Sequence, residues 1–276
     1  MIKSILSAAL IAYALLAAGM FAAQRKFIYF PDARRTLPAD AGMADVSERV
    51  METPDGEKVI AWYGKAKPGQ PTLLYFHGNG GSLESRRERI AKYMARGRGI
   101  FMMAYRGFSG SSGSPSEAAN TADAKLAYET LIKDGVKPED IILYGESLGT
   151  GVATQVAVEK PVRGLILDSP YTAVVDRAAD IYWWLPVRAL VIDSYETRRF
   201  IKDVRAPLFI IHGEADDVVP VAMGRKIFEL ANEPKEIATL PAAGHNDHWK
   251  FGSFDTINAW IDRLWAGEIK AGHARA

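Results

Sequence analysis

The stretch Ile141-Ile142-Leu143-Tyr144-Gly145-Glu146-Ser147-Leu148-Gly149 decides the fold. Residues 141–144 form a short apolar run bounded by glycine, which reads as a buried strand. Beyond Gly149 the chain continues as an apolar helix through about Val158. Gly-x-Ser-x-Gly is common by chance, but between a strand and a helix it describes a sharp turn that lifts one hydroxyl above a sheet edge. That turn strains the serine backbone, and only small neighbours allow the close approach it needs. The following helix aims its partly positive N-terminus at the place where an oxyanion would form. The alternative is a tight packing turn with an incidental serine.

Outward from this turn, apolar runs alternate with amphipathic segments. Strands are expected at 59–63, 72–76, 100–105, 165–168, 208–211 and 236–240. Helices are expected at 83–96, from an N-cap at Ser116 to Lys133, at 221–231, and in a last segment with Phe254, Ile257, Ile261 and Leu264 on one face. The pattern predicts an α/β fold with a mostly parallel central sheet and helices on both faces. Residues 171–204 are longer than a normal connection and rich in aromatic and apolar side chains, so they read as a cap insertion. The folded domain is placed at 45–267, with a linker at 31–44 and a tail at 268–276.

A serine hydroxyl is a weak nucleophile and needs a base and a carboxylate. The segment Ile211-His212-Gly213-Glu214-Ala215-Asp216-Asp217 follows one strand, and Gly244-His245-Asn246 follows the last. The order Ser147, Asp216, His245 fits the strand–helix alternation, with Ser147 as nucleophile, His245 as base and Asp216 as its orienting acid. Asp217 and Asp168 are rival acids; Asp216 is preferred because it stands where the loop first leaves the strand. His248 makes a His-x-x-His pair with His245, but without a cysteine or a supporting helix it is a poor metal motif. His212 is expected to shape the aspartate loop and His77 to be structural. The short His77-Gly78-Asn79-Gly80-Gly81 loop should bring a second oxyanion donor close, so the backbone N–H groups of Asn79 and Leu148 are assigned to that role. The same loop could cradle a phosphate, but it lacks Gly-x-Gly-x-x-Gly and a P-loop lysine.

Composition limits the partners. Over 276 residues, 34 Lys plus Arg balance 33 Asp plus Glu for a net charge of +1. A general nucleic-acid binder needs a basic surplus, so none is expected. With 0 cysteines, disulfides, thiolate metal sites and cysteine nucleophiles are excluded. No metal or organic cofactor is called for. Residues 4–23 carry no charge and are rich in Ala, Leu and Ile; about 20 residues at ~1.5 Å each would cross a ~30 Å hydrocarbon core. An uncleaved single-pass anchor within residues 1–30 is the favoured reading. A cleaved signal peptide with Ala17-Ala18-Gly19 as its site, and a buried core helix, are the alternatives. Lys3 before the span and Arg25, Lys26, Arg34 and Arg35 after it lean towards a cytoplasmic domain, while a signal-anchor would do the reverse. Phe27-Ile28-Tyr29-Phe30 reads equally as an interfacial belt or as a first strand.

The motifs HGNGG (77–81), YRGFSGSSGSPSE (105–117), GESLGTG (145–151), DSPYT (168–172), HGEADDVVP (212–220) and AGHND (243–247) together resemble the alpha/beta-hydrolase superfamily, in particular its membrane-anchored members of the bud-emergence type. The resemblance covers about residues 45–267. It implies Ser147 as nucleophile, Asp216 as acid, His245 as base, and one N-terminal span. Arg106 belongs to the family pattern with no evident role beyond fixing a loop. The cap segment around Tyr182-Trp183-Trp184-Leu185-Pro186 is where the family varies most, so it leaves the substrate open. The expected activity is hydrolysis of carboxylic esters, then thioesters or lipid acyl bonds, through an acyl-enzyme on Ser147. A peptide or amide hydrolase on the same fold and a non-catalytic membrane-tethered interaction protein are the alternatives.

Overall fold

The computed structural model describes residues 1–269. The chain opens with helix α1 (Ile2–Ile28) and a two-residue strand β1 (Phe30–Pro31). Strands β2 (Val46–Glu52), β3 (Lys58–Gly64), β4 (Thr72–Phe76) and β5 (Gly80–Gly81) follow, then helix α2 (Arg87–Ala95) and strand β6 (Gly99–Met103). Next come α3 (Glu117–Lys133), β7 (Ile141–Glu146), α4 (Leu148–Glu159) and β8 (Gly164–Asp168). The insertion carries α5 (Val174–Ile181), α6 (Val187–Leu190) and α7 (Thr197–Phe200). The chain then alternates through β9 (Leu208–Gly213), α8 (Val221–Leu230), β10 (Lys235–Leu240) and α9 (Ser253–Trp265).

Eight strands form one sheet in the order β10-β9-β8-β7-β4-β6-β3-β2. Pairings from β6 to β10 are parallel, and β2–β3 and β3–β6 are antiparallel. Every residue of β4, β6, β8 and β9 is buried, which is why these strands read as continuous apolar runs. Strand β2 was not expected. It lies at the sheet edge with Glu48, Arg49 and Glu52 among its seven residues, so no apolar run marks it. The helix expected from Leu83 starts later: residues Glu84–Arg86 form a 3-10 turn, because Ser85 Oγ bonds back to the Ser82 carbonyl at 2.6 Å. Helix α3 begins as expected, with Ser116 Oγ accepting the Ala119 N–H at 3.1 Å. Of the expected tail, residues 270–276 lie outside the described residues.

The order of strands fixes where a site can form. Strand β4 has β6 on one side and β7 on the other, so the loops leaving β4 and β7 diverge and open a crevice at the carboxyl edge. Arg106 acquires a role in holding this edge. Its guanidinium grips Asp123 on α3 at 2.8 and 2.9 Å and Asp55 of the β2–β3 turn at 2.6 and 2.9 Å. It thereby ties the Tyr105–Gly107 loop to two other elements. Asp123 is buried while Asp55 is exposed. Arg106→Ala strands the Asp123 carboxylate and should cost about 3–5 kcal/mol, seen as a lowered thermal midpoint. Asp55→Asn should cost clearly less, and equal losses would show that Asp123 is not the partner that matters.

Candidate active site

Ser147 sits between β7 and α4 with φ 50° and ψ −116°, a conformation side chains rarely adopt. The flanking glycines explain how it is held. A Cβ on Gly149 would stand 2.1 Å from the Phe76 carbonyl oxygen, and one on Gly145 would stand 2.5 Å from the Gly149 carbonyl oxygen. The first turn of α4 therefore lies directly on the end of β4. The Ser147 N–H donates to the Asp168 carbonyl at 2.8 Å, which locks the turn to β8 as well.

Three side chains expected to meet do so. His245 Nε2 is 2.9 Å from Ser147 Oγ, and His245 Nδ1 is 2.7 Å from Asp216 Oδ2. With Nδ1–H donating to the carboxylate, Nε2 is left to accept the serine proton. The other oxygen of Asp216 accepts the N–H groups of Val218 at 3.0 Å and Val219 at 2.7 Å. Burial pushes the Asp216 carboxyl up, but hydrogen bonding to His212 and His245 and the attraction of His245 outweigh it. The group is held well below the usual carboxylate range. His212 braces the loop by bonding the Val219 carbonyl at 2.8 Å and lies 3.5 Å from Asp216. Asp217 uses only its backbone here, accepting from Arg177 at 3.0 Å.

The remaining candidates have other partners. His248 Nδ1 meets Asp168 Oδ1 at 2.8 Å, and the Tyr144 hydroxyl donates to Asp168 Oδ2 at 2.8 Å. His245 and His248 thus face different carboxylates and do not converge on a metal site. His77 is fully buried, bonded to the Gly78 carbonyl at 2.6 Å, and burial drives its pKa down to about 3. Asn79 and Leu148 both border the cavity that Ser147 lines, and the Leu148 N–H lies in the first turn of α4, where N–H groups lack intrahelical acceptors. The Asn79 side chain faces elsewhere, donating to the Ile28 carbonyl at 2.8 Å.

One cluster went unforeseen. Glu146, beside Ser147, accepts from Tyr75 at 2.6 Å, Arg89 at 2.9 Å and Arg86 at 3.5 Å. Burial alone would raise its pKa; the charges of Arg89 and Arg86 reverse this and keep it ionised. No motif announces these residues, since Arg86 and Arg89 come from a different part of the chain.

Two sizeable cavities meet at Ser147, beside a third of only about 80 Å³. One, of about 640 Å³, is polar and bordered by Arg86, Arg89, Lys92, Glu146 and His245. The other, of about 470 Å³, is bordered by Leu148, Tyr171, Tyr182, Leu185 and residues of α1. Both volumes fall in the ~300–1,000 Å³ range of small-molecule sites.

Comparison with known proteins agrees with the fold. Residues 71–191 match the alpha/beta hydrolase fold family. An uncharacterized protein of Mycobacterium tuberculosis is 37% identical over 227 residues, spanning 81% of each chain. The chain belongs to the alpha/beta hydrolase fold family. Lysophosphatidylserine lipase ABHD12 of Danio rerio is similar to it at 31% identity over 248 residues, covering 76% of this chain and 64% of that protein. Among solved structures, an esterase of Pyrococcus furiosus superposes with a TM-score of 0.69 at 18% identity, covering 85% of this chain and 97% of that one. At that identity the likeness concerns the fold alone.

The Asp168–His248 pair gives a test of the electrostatics. Burial would lower the His248 pKa, but the hydrogen bond and charge of Asp168 raise it above the ordinary histidine value. Asp168 is correspondingly lowered. The stabilisation from His248 is complete below the ordinary histidine pKa and is lost as pH rises through the folded value. That from Asp168 is lost only as pH falls through its depressed value. The gap in thermal midpoint between the native protein and Asp168→Asn should therefore be widest at mildly acidic pH and shrink towards alkaline pH. Histidine NMR titration should show the His248 pKa falling in the variant; an unmoved value would rule out the pairing.

Proposed function

We propose that the protein is a serine hydrolase of carboxylic esters, with Ser147 as nucleophile, His245 as general base and Asp216 as its orienting carboxylate. The observation that carries this reading is the unbroken hydrogen-bonded line from Ser147 Oγ through His245 to Asp216 at a positive-φ turn. His245 Nε2 takes the serine proton as Oγ attacks the ester carbonyl. The N–H groups of Asn79 and Leu148 hold the resulting oxyanion, aided by the positive end of α4. Collapse returns the proton from His245 to the leaving alcohol and leaves the acyl group on Ser147. Water then attacks that ester with His245 again as base, releasing the acid and restoring the hydroxyl.

The two cavities suggest the substrate. The apolar one suits an acyl chain, and the polar one suits the alcohol side. Arg86 and Arg89 share Glu146, while Lys92 makes no ion pair among the described residues and lies 5.6 Å over the Trp249 ring. A leaving group with an anionic head fits this lining, in keeping with the name of the zebrafish lipase. Helix α1 is apolar and long enough to cross a membrane, so we place the protein at the membrane as a single-pass member of the bud-emergence type.

Ser147→Ala should lose turnover by about 10⁴-fold or more at an unchanged thermal midpoint, and lose labelling by a fluorophosphonate. Asp216→Asn should lower kcat by about 10⁴-fold, because the wrong histidine tautomer is then held, while Asp217→Asn stays near native activity. The reverse order would move the acid to Asp217. Because Asp216 stays ionised far into acid, its own protonation should add nothing to the acid limb of kcat/KM. A flat limb down to strongly acidic pH would remove His245 from the mechanism.

A further inference from the structure

Helix α1 is not a free tether. From Ile2 to Leu16 its side chains are exposed, but Ala17, Met20, Ala23, Gln24 and Ile28 are half-buried at helical spacing, so one face of its second half lies on the domain. Specific bonds hold it there. Arg25 donates to Asp193 at 2.9 Å, and the Tyr29 hydroxyl donates to the same carboxylate at 3.1 Å. Gln24 Oε1 accepts the Ile192 N–H at 2.8 Å, and the Tyr13 hydroxyl donates to the Trp184 carbonyl at 3.0 Å. This half of the helix lines the apolar cavity that ends at Ser147: Ala17 and Met20 of the docked face, with the more exposed Phe21 and Phe27, form one wall, and Tyr182 and Leu185 of the cap stand among the residues around it.

We propose that α1 is a wall of the acyl-binding pocket as well as a membrane anchor, so that residues of the anchor set the acyl-chain length the protein accepts. The chain of a membrane-resident ester lies between α1 and the cap with its carbonyl at Ser147. The exposed part of α1, residues 2–16, spans about 22 Å at the helical rise, less than the ~30 Å hydrocarbon core. The docked half, and the cavity with it, is thereby drawn to the boundary of the bilayer. Beside it the cap exposes Trp183 at 81%, Ile192 at 57% and Ile181 at 50%, a surface that extends the apolar face of the helix. An acyl chain can pass from lipid to cavity without crossing water.

This inference rests on Ser147 as the acyl acceptor, and the test separates the two. Full-length protein in lipid nanodiscs is assayed with p-nitrophenyl acetate and p-nitrophenyl laurate. Ala17→Trp and Met20→Trp should lower kcat/KM for laurate by about tenfold or more and leave acetate within about twofold. Leu16→Trp, on the exposed face of the same helix, should change neither. Ala17→Leu, a smaller filler, should give the same ordering if a tryptophan variant fails to fold. An unchanged laurate rate, or equal losses on both esters, overturns the proposal. Binding of cis-parinaric acid, read by its fluorescence, needs no turnover and should weaken in Met20→Trp but not in Leu16→Trp. If native protein hydrolyses neither ester, the hydrolase reading falls; weakened parinaric acid binding then still supports the wall, and unchanged binding rejects it.

Discussion

The contact between the first turn of α4 and the last peptide of β4 underlies everything else in this molecule. Gly149 has no Cβ, and the space where one would stand is taken by the Phe76 carbonyl. This closeness brings two chain segments, residues 77–81 and 146–148, to a single point. It also forces the turn between β7 and α4 to be sharp enough to put Ser147 in its positive-φ conformation. A wider turn would leave the serine backbone relaxed and its hydroxyl out of reach of His245. The strain at one residue is maintained by packing over two strands and a helix, as strained functional positions require.

Around this point the charges are arranged in pairs of different character. Asp216–His245 and Asp168–His248 are both carboxylate–imidazole pairs with Nδ1 on the carboxylate. In the first, the far nitrogen meets the Ser147 hydroxyl at 2.9 Å. In the second, the far nitrogen has only Ser169 Oγ, at 3.4 Å, among the described residues, and the carboxylate is also held by Tyr144. The first pair is therefore placed to exchange a proton at the cavity, and the second braces the loop that carries His245. The Glu146 cluster adds a third ionic group, in which two arginines bordering the polar cavity share one carboxylate and keep a net positive charge there.

Much of this was legible in the sequence because its signals are local. The buried strands are apolar runs on both faces, and Gly145-Glu146-Ser147-Leu148-Gly149 names a turn by its own composition. Chain order pointed to the loops after β9 and β10, and Asp216 was preferred over its rivals Asp217 and Asp168 because it stands where its loop first leaves the strand. The features that were not legible depend on pairing across distance. Edge strand β2 has no apolar run, and the partners of Glu146 come from α2. The pairing of His248 with Asp168 joins two strand ends, β8 and the loop after β10. For α1, hydropathy reports only that residues 4–23 are apolar on all sides; that one stripe of the helix, from Ala17 to Ile28, rests on the cap and the site is set by side chains on the other partner.

The strand β1, only Phe30–Pro31, pairs in parallel with β5, Gly80–Gly81, and the Phe30 N–H bonds the Asn79 carbonyl at 2.8 Å. Together with the Asn79 side chain on the Ile28 carbonyl, this stitches the exit of the helix to the glycine loop at the mouth of the site. A water-soluble version of the protein cannot simply start where the apolar stretch gives way to the catalytic fold. A start after Pro31 would strip the glycine loop of its outer support and expose the buried carboxylate of Asp193, whereas a start near Gln24 would discard the oily half of the helix and keep both.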